Sequence, residues 1–143
     1  MNFFVKQFNQ LETFELYEIF KARFQVFVME QRCFYLDMDD IDYNSFHIFS
    51  LNGRIVNSYA RLFQEETPKV WHVGRVLTIN RGQGVGKSIM KKVIDVALNN
   101  NAKELRLDAQ IHALGFYEKL GFTTCSEEFV EAGIPHIMMK MSF

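Results

Sequence analysis

The fold is decided by the stretch Arg81-Gly82-Gln83-Gly84-Val85-Gly86-Lys87-Ser88. It follows an apolar run from Val70 to Ile79 and opens an amphipathic run from Val85 to Leu98, which predicts a strand, a glycine-rich turn and a helix N-terminus. At such a junction, free backbone N–H groups and the positive end of the helix dipole face the same point, and glycines let the backbone approach a ligand closely. The stretch therefore indicates an anion site, with phosphate as the expected anion.

Three kinds of phosphate-binding loop use this arrangement, and glycine spacing separates them. A Walker A loop, G-x-x-x-x-G-K-[ST], would need its first glycine where this chain has Arg81. A Rossmann fingerprint, G-x-G-x-x-G, would need its third glycine where the chain has Lys87. The pattern Arg/Gln-x-x-Gly-x-Gly/Ala fits without a gap, and it resembles the acyl-CoA-binding loop of the GNAT superfamily of N-acyltransferases. On this motif alone, a glycine-rich turn without a ligand remains an alternative.

A second motif lies in the last third of the chain, after the strand-like segment Glu104 to Leu107. It resembles the GNAT signature in which a strand end is followed by Asn-x-x-Ala-x-x-Phe-Tyr-x-x-x-Gly-Phe. The matching residues are Ala113, Phe116, Tyr117, Gly121 and Phe122. Gln110 stands where the signature usually has Asn. Two motifs in the right order and at a suitable separation favour the family over coincidence.

Further segments resemble the ElaA-like branch of this family, so that the resemblance runs from about residue 14 to the end of the chain. These segments are Phe27-Val28-Met29-Glu30-Gln31, Asp37-Met38-Asp39, Ser58-Tyr59-Ala60-Arg61, Gly74-Arg75-Val76 and Gly133-Ile134-Pro135-His136-Ile137. The connection between Arg75 and Arg81 is a few residues shorter than is usual in the family. The register of the backbone from Val76 to Ile79 is therefore left open.

Composition and charge predict a single domain over residues 1–143, since 48% of the residues are hydrophobic and 15 are Phe. A net charge of −1 gives no electrostatic case for nucleic acid or an anionic membrane as partner. The first residues are too polar beyond Val5 for a signal peptide, and Cys33 and Cys125 form no C-x-x-C motif. We therefore expect a cytoplasmic protein with two reduced, buried thiols, although a disulfide between them stays an alternative.

Periodicity along the chain predicts the order β-α-β-β-β-α-β-α-β-β, a mixed α/β (α+β) fold. Such a sheet, central, mostly antiparallel and flanked by helices, is also what the GNAT resemblance implies. Asn9 with Glu12 is the predicted cap of the first helix, whose buried face is predicted from an aromatic repeat: Phe14, Tyr17, Phe20, Phe24 and Phe27. Val85, Ile89, Val93 and Ala97 are the predicted buried stripe of the second helix. A last hairpin is predicted from Thr123–Val130 and His136–Met141.

The resemblance implies acetyl-CoA as co-substrate and no metal. By this resemblance, the N–H groups at the start of the second helix would hold the pyrophosphate of acetyl-CoA, and Arg81 and Lys87 would add positive charge. The backbone of the preceding strand would pair with the pantetheine arm as if the arm were an added strand. A backbone N–H near Val76 would polarise the thioester carbonyl. The predicted cofactor-binding residues are Val76, Leu77, Arg81, Gly82, Gln83, Gly84, Val85, Gly86, Lys87, Ser88, Gln110 and Phe116.

For catalysis, the resemblance places Tyr117 beside the sulfur, where a phenol that is protonated at neutral pH can serve as general acid. The strand before the glycine turn carries no acid, so the predicted general base is His72, which strand alternation puts on one face with Gly74 and Val76. His47, His136 or a chain of water molecules are alternatives.

Candidate substrate-binding residues are Glu30 and Asp39 in an acidic stretch, together with His136; acids there would attract a protonated amine. Asp37, Asp39 or Glu30 are alternatively the partners that a buried Arg75 requires. The predicted function is an N-acetyltransferase that acts by direct attack of a small-molecule or peptide amine on acetyl-CoA. A non-catalytic acyl-CoA-binding sensor and a P-loop protein are the alternatives. Because GNAT domains often pair, a homodimer is a further expectation.

Overall fold

The computed structural model describes residues 1–143. Its elements are β1 (Phe4–Gln7), α1 (Thr13–Arg23), β2 (Phe46–Asn52), β3 (Ile55–Gln64), β4 (Val70–Thr78), α2 (Val85–Asn99), β5 (Glu104–Gln110), α3 (Leu114–Leu120), β6 (Thr123–Thr124), β7 (Phe129–Glu131) and β8 (Ile134–Ser142). The predicted fold class is confirmed. The predicted strand Thr123–Val130 is interrupted, however, because the chain leaves the sheet edge between β6 and β7.

All strands belong to one sheet in the order β1-β2-β3-β4-β5-β8-β6, and β7 pairs with β8 as well. Every pairing is antiparallel except that of β4 with β5. This parallel pairing joins Val70–His72 to Glu104–Arg106 and stops there, although β4 continues to Thr78 and β5 to Gln110. The two strands therefore diverge, and each presents an unpaired edge to the gap between them.

A β-bulge interrupts β4 where the two strands diverge. Two residues, Arg75 and Val76, lie opposite the single residue Ala60 of β3. Arg75 has φ +54°, in the left-handed region, where a non-glycine residue costs roughly 1–3 kcal/mol. Such strain persists only when the surrounding contacts fix the residue, and the ion pairs described below do so for Arg75.

The bulge reverses the alternation of side chains along β4. Val73 and Val76 both pack against the core under α2, whereas Leu77 belongs to the core under α1. The prediction that His72 shares a face with Val76 is therefore wrong, because the extra residue moves Val76 to the other side.

The helices cover opposite faces of the sheet. On one face, α2 packs with the buried residues Val85, Ile89, Met90, Val93, Val96 and Ala97, which confirms the predicted stripe. On the other face, Ile19, Ala22 and Val26 of α1 and its continuation pack against Phe49 and Tyr59 of the sheet.

Phe20 and Phe27 pack against the core as predicted, but other predicted details of α1 are wrong. Glu12 is the N-cap, in a capping box with Glu15, and Asn9 lies in a separate 3₁₀ turn. In the predicted apolar face, Tyr17 is 68% and Phe24 53% exposed. A second set of residues on this helix also has helical spacing, and it is this set that is buried: Glu15, Ile19, Ala22 and Arg23. It faces the protein because the Arg23 guanidinium forms ion pairs with two carboxylates there.

Arg23 is completely buried and lies between two acids of the loop that follows α1. Its Nη1 donates to Asp42 Oδ1 (2.7 Å), its Nε to Asp37 Oδ2 (2.8 Å) and its Nη2 to Asp37 O (3.0 Å). A buried guanidinium requires such partners, since a charge without a counter-ion in the interior is very costly. The loop is therefore held against α1.

Two further arginines bind the same loop from the sheet side. Arg61 of β3 donates to Asp39 Oδ1 (2.6 Å) and Oδ2 (3.0 Å). Arg75, at the bulge, donates from Nε to Asp37 Oδ1 (2.6 Å) and from Nη2 to Asp37 O (2.9 Å). The predicted alternative, that these acids are partners of Arg75, is confirmed for Asp37 and, at 3.4 Å, for Asp39.

Both cysteines are free thiols, but only Cys33 is half-buried; Cys125 is exposed. The prediction of burial is wrong for Cys125 because it lies in the segment between β6 and β7 that leaves the sheet. Among the helices, none combines the length and the apolar character needed to cross a membrane.

Replacement of Asp42 by Asn is expected to lower the free energy of unfolding by about 3–5 kcal/mol, because Arg23 loses a buried counter-ion. Burial by itself would raise the pKa of Asp42, but the hydrogen bond and charge of Arg23, followed by Arg61, outweigh burial and hold that pKa below its usual range. This stabilisation is complete above the unfolded pKa of about 3.9 and is lost as pH falls through the lower folded pKa.

Denaturant unfolding at neutral and acidic pH measures this effect. The matched control is Asp95→Asn, an exposed carboxylate of α2. Equal unfolding midpoints for the two variants at neutral pH would contradict the assignment.

Candidate active site

A cleft of about 1110 Å³ occupies the gap between the diverging strands β4 and β5. Its walls come from the continuation of α1 (Phe24–Glu30), from the loop of residues 33–44 that holds the acids (the acidic loop), and from β3, β4, β5, α3, β7 and β8. The cleft brings together many of the predicted site residues: Glu30, Asp39, His72, Val76, Leu77, Arg81, Gln110, Tyr117 and His136. The other predicted residues, Gly82 to Ser88 and Phe116, lie outside its lining, around the start of α2.

The glycine turn has the conformation that its sequence predicts. Gly82 and Gly84 have φ values of +82° and +72°, and a Cβ atom on either would meet no atom within 4 Å. Gly84 is the N-cap of α2, so the N–H groups of Val85, Gly86 and Lys87 have no partner within the helix. Open space and free donors at a helix N-terminus suit a phosphate group.

Gly86 has neighbours that the other glycines of the turn lack. A Cβ atom there would lie 3.4 Å from the ring of Phe116, at van der Waals contact, so α3 packs against the start of α2 at this point. Phe116 in turn contacts Tyr117 edge-on, with ring centroids 5.0 Å apart. The glycine turn and the predicted general acid are thus connected through one aromatic side chain.

The open edge of β4 provides further backbone donors. Ile79 N–H donates to Asn57 O of the β3 side (2.8 Å), and the direction of N–H groups alternates along a strand. By this alternation, the N–H group of Leu77 also points toward β3, where Leu77 lies opposite Tyr59. We therefore expect the N–H groups of Val76 and Thr78 to point into the gap.

Both predicted substrate-binding acids are paired with arginines. Asp39 binds Arg61 with both carboxylate oxygens, as described above. Glu30 Oε2 accepts a hydrogen bond from Arg81 Nη2 at 2.5 Å, across the mouth of the cleft. The charge of each acid is therefore compensated within the chain, and Arg81 is shared between Glu30 and any anion at the glycine turn.

Tyr117 projects from α3 into the cleft. Burial raises the pKa of its phenol to about 12, and no charged neighbour contributes to this shift. The hydroxyl therefore stays protonated throughout the physiological range and is available as a proton donor.

Two of the candidate histidines have roles that follow from their contacts. His47 is completely buried, with Nδ1 2.7 Å from Tyr59 Oη and Nε2 2.9 Å from Asp42 O, and burial is the main cause that lowers its pKa. It has no free nitrogen and cannot serve as base. His136 Nδ1 donates to Ile134 O (2.7 Å), and its Nε2 lies at the cleft, 3.7 Å from Glu131 Oε2.

His72 lies where β4 and β5 separate. Its Nδ1 is 2.9 Å from Glu65 Oε1, its Nε2 is 3.9 Å from Asp108 Oδ2, and its ring stacks on Phe63. Neither Glu65 nor Asp108 is among the site residues predicted from the sequence. Strand alternation could have found Asp108, because Leu107 and Ala109 on either side of it face the core under α2.

Gln110 is held by neighbouring side chains. Its amide exchanges two hydrogen bonds with Gln31 (3.3 and 3.0 Å) and its Oε1 lies 2.6 Å from His112 Nε2. The two Gln31–Gln110 hydrogen bonds thus join the chain just after the continuation of α1 to the end of β5. No group of three or more His, Cys, Asp or Glu side chains is arranged to hold a metal ion.

A sheet that opens between a bulged strand and its parallel neighbour, with a glycine turn at a helix N-terminus beside the gap, defines the fold of acyl-CoA N-acyltransferases. Residues 8–143 match the family model described as acetyltransferase (GNAT) domain. The chain belongs to the GNAT acetyltransferase family, whose acyl-CoA N-acyltransferases use acyl-CoA.

Relatives and solved structures agree. A UPF0039 protein of Schizosaccharomyces pombe is 35% identical over 147 residues, covering 99% of this chain and 97% of the relative. Protein ElaA of Escherichia coli is 34% identical over 139 residues, covering 92% and 90%. The crystal structure of an acyl-CoA N-acyltransferase from Pseudomonas aeruginosa has a TM-score of 0.92 at 29% identity, covering 99% of both chains. That of E. coli ElaA has a TM-score of 0.91 at 30% identity, covering 97% of both. The predicted resemblance to the ElaA-like branch is confirmed.

Replacement of Glu30 by Gln is expected to strengthen acetyl-CoA binding about two- to fivefold at low salt, because Arg81 is released toward the phosphates and a repelling charge disappears. Calorimetric titration measures this change, which should diminish as salt is added.

Glu66→Gln, in the turn between β3 and β4, serves as the control and should leave the affinity unchanged. Weaker binding by Glu30→Gln would show instead that Glu30 holds Arg81 in its binding position.

Proposed function

We propose that this protein is an N-acetyltransferase that transfers the acetyl group of acetyl-CoA to a primary amine of a small molecule or peptide. The observation that carries the proposal is the position of Tyr117 in a cleft that also contains the open edge of β4 and His72. The cleft thus has a proton donor, backbone N–H donors and a candidate base around one gap.

The residues present fit an acyl-CoA molecule. Gly82 and Gly84 leave open space beside the free N–H groups of Val85 to Lys87, which suits a pyrophosphate. The free edge of β4 suits an extended arm that pairs like an added strand, with Val76 N–H as the donor to the thioester carbonyl. When bound, acetyl-CoA supplies the activated acetyl group; the protein supplies position and proton transfer.

Direct transfer is favoured over an acyl-enzyme. Cys33 is the cysteine that lines the cleft, and its Sγ lies 3.6 Å from Ala132 O and 3.7 Å from Gln31 O. Carbonyl oxygens accept from a protonated thiol and do not promote the thiolate that nucleophilic catalysis requires.

His72 and Tyr117 move the protons in the proposed reaction. His72 Nε2 accepts a proton from the incoming ammonium, and Tyr117 Oη donates one to the leaving sulfur. The C–N bond forms and the C–S bond breaks, and the second proton that the nitrogen loses as it becomes an amide restores the Tyr117 hydroxyl. An ammonium and a thioester thus become an amide, a thiol and one proton, which leaves through His72.

Calorimetric titration with acetyl-CoA, CoA and ATP tests the first half of the proposal. Micromolar binding of acetyl-CoA and CoA, with ATP much weaker, is the expected result, since a pantetheine arm is needed to pair with β4. Absence of acetyl-CoA binding would refute the proposed co-substrate.

Replacement of Tyr117 by Phe tests the second half. The rate constant kcat for amine acetylation is expected to fall by about 10²–10⁴-fold, while acetyl-CoA affinity is unchanged, because the hydroxyl donates only as the sulfur leaves. The control Tyr43→Phe removes an exposed hydroxyl outside the cleft. Retained acetyl-CoA binding in a wild-type protein that acetylates no amine would favour the acyl-CoA-binding sensor.

A further inference from the structure

The charges in the cleft are unevenly compensated. Among its acids, Glu30, Asp37 and Asp39 each bind an arginine that also lines the cleft. Asp108 and Glu131 bind no arginine or lysine, and Glu65 has Arg106 only at 3.9 Å. The cleft therefore carries excess negative charge on the side formed by β5, β7 and the end of β3.

Glu65 determines which nitrogen of His72 is free. A carboxylate only accepts hydrogen bonds, so the 2.9 Å contact assigns the proton of the neutral ring to Nδ1. Nε2 then carries the lone pair and is directed toward Asp108, from which it is 3.9 Å away. This is the arrangement of a base whose orientation is fixed by a second carboxylate.

Asp108 has unused capacity to accept hydrogen bonds. Its Oδ1 is buried without a partner and its Oδ2 contacts only His72, at the longer distance of 3.9 Å. The side chain is 25% exposed and lines the cleft. No cation compensates this carboxylate, and an ammonium group beside His72 would supply a counter-charge and a hydrogen-bond donor to its accessible side.

We propose that Asp108 binds the ammonium group of the acceptor and that Glu65 is a positioning residue for His72. The inference rests on the proposed acetyltransferase function and specifies its substrate class: a primary amine that arrives protonated and carries no acidic group within a four-carbon chain of the amine. Asp108 holds the ammonium, His72 Nε2 removes one proton, and the Glu65 carboxylate stabilises the resulting imidazolium. The amine nitrogen then attacks the acetyl carbon as described above.

Three amines with the same four-carbon chain test the substrate class: butylamine, 1,4-diaminobutane and 4-aminobutyrate. They differ only in whether the far end is apolar, positive or negative. The wild-type protein, loaded with acetyl-CoA, is expected to use 4-aminobutyrate at least about tenfold less efficiently in kcat/KM than the other two, because its carboxylate meets uncompensated acids.

Two variants separate binding from positioning. Asp108→Asn is expected to raise KM for butylamine at least about tenfold with a smaller change in kcat, because an ammonium loses its counter-ion. Glu65→Ala is expected to lower kcat at least about tenfold with KM little changed, and Glu65→Gln, whose amide oxygen still accepts from Nδ1–H, to recover part of the loss. A residue with only a structural role would not give this split.

The controls are Asp95→Asn and Glu66→Ala, and acetyl-CoA affinity is measured for every variant to verify the fold and the cofactor site. The inference is overturned if 4-aminobutyrate is used as well as butylamine, or if Asp108→Asn leaves KM unchanged. It is also overturned if the wild-type protein binds acetyl-CoA but acetylates none of the three amines. Failure to bind acetyl-CoA would instead refute the proposed function itself.

Discussion

Strands β4 and β5 are hydrogen-bonded over a short parallel segment and then separate, and the site depends on that separation. Backbone N–H and C=O groups along an open edge must find partners, so the gap is suited to an extended ligand. The β-bulge occurs in the separating part of β4 and orients its backbone groups and side chains. The remaining features of the site, the glycine turn on one side and the acidic residues on the other, are arranged around this gap.

The acidic loop is the second element on which the site depends, and arginines hold it in place. Arg23 binds it from α1, while Arg61 and Arg75 bind it from the sheet. Buried ion pairs contribute little net stability compared with apolar packing, but breaking one is costly, so they favour one conformation over others. The network therefore fixes the wall of the cleft that this loop forms.

How much the sequence predicts depends on the range of the interactions. The glycine turn and the buried stripe of α2 were predicted because both are set by residues within a few positions of one another. The buried face of α1 was not, because Arg23 finds its partners 14 and 19 residues away. The bulge was not either, because Arg75 is held in its strained conformation by Asp37, 38 residues away. Strand alternation can place Asp108 on the cleft face of β5, but its proximity to His72 depends on how β4 and β5 pair, which no local pattern specifies.

Arg75 belongs at once to the bulge of β4 and to the anchor of the acidic loop. The backbone along the open edge of β4 and the wall of the cleft that the acidic loop forms are therefore mechanically coupled, and a substitution at Asp37 would alter both. The neighbouring residues Phe34 and Leu36 are each 81% exposed and take no part in that network. Substitutions that reshape this wall of the cleft would thus be tolerated more readily at Tyr35 and Leu36, which line it, than at the aspartates that follow them.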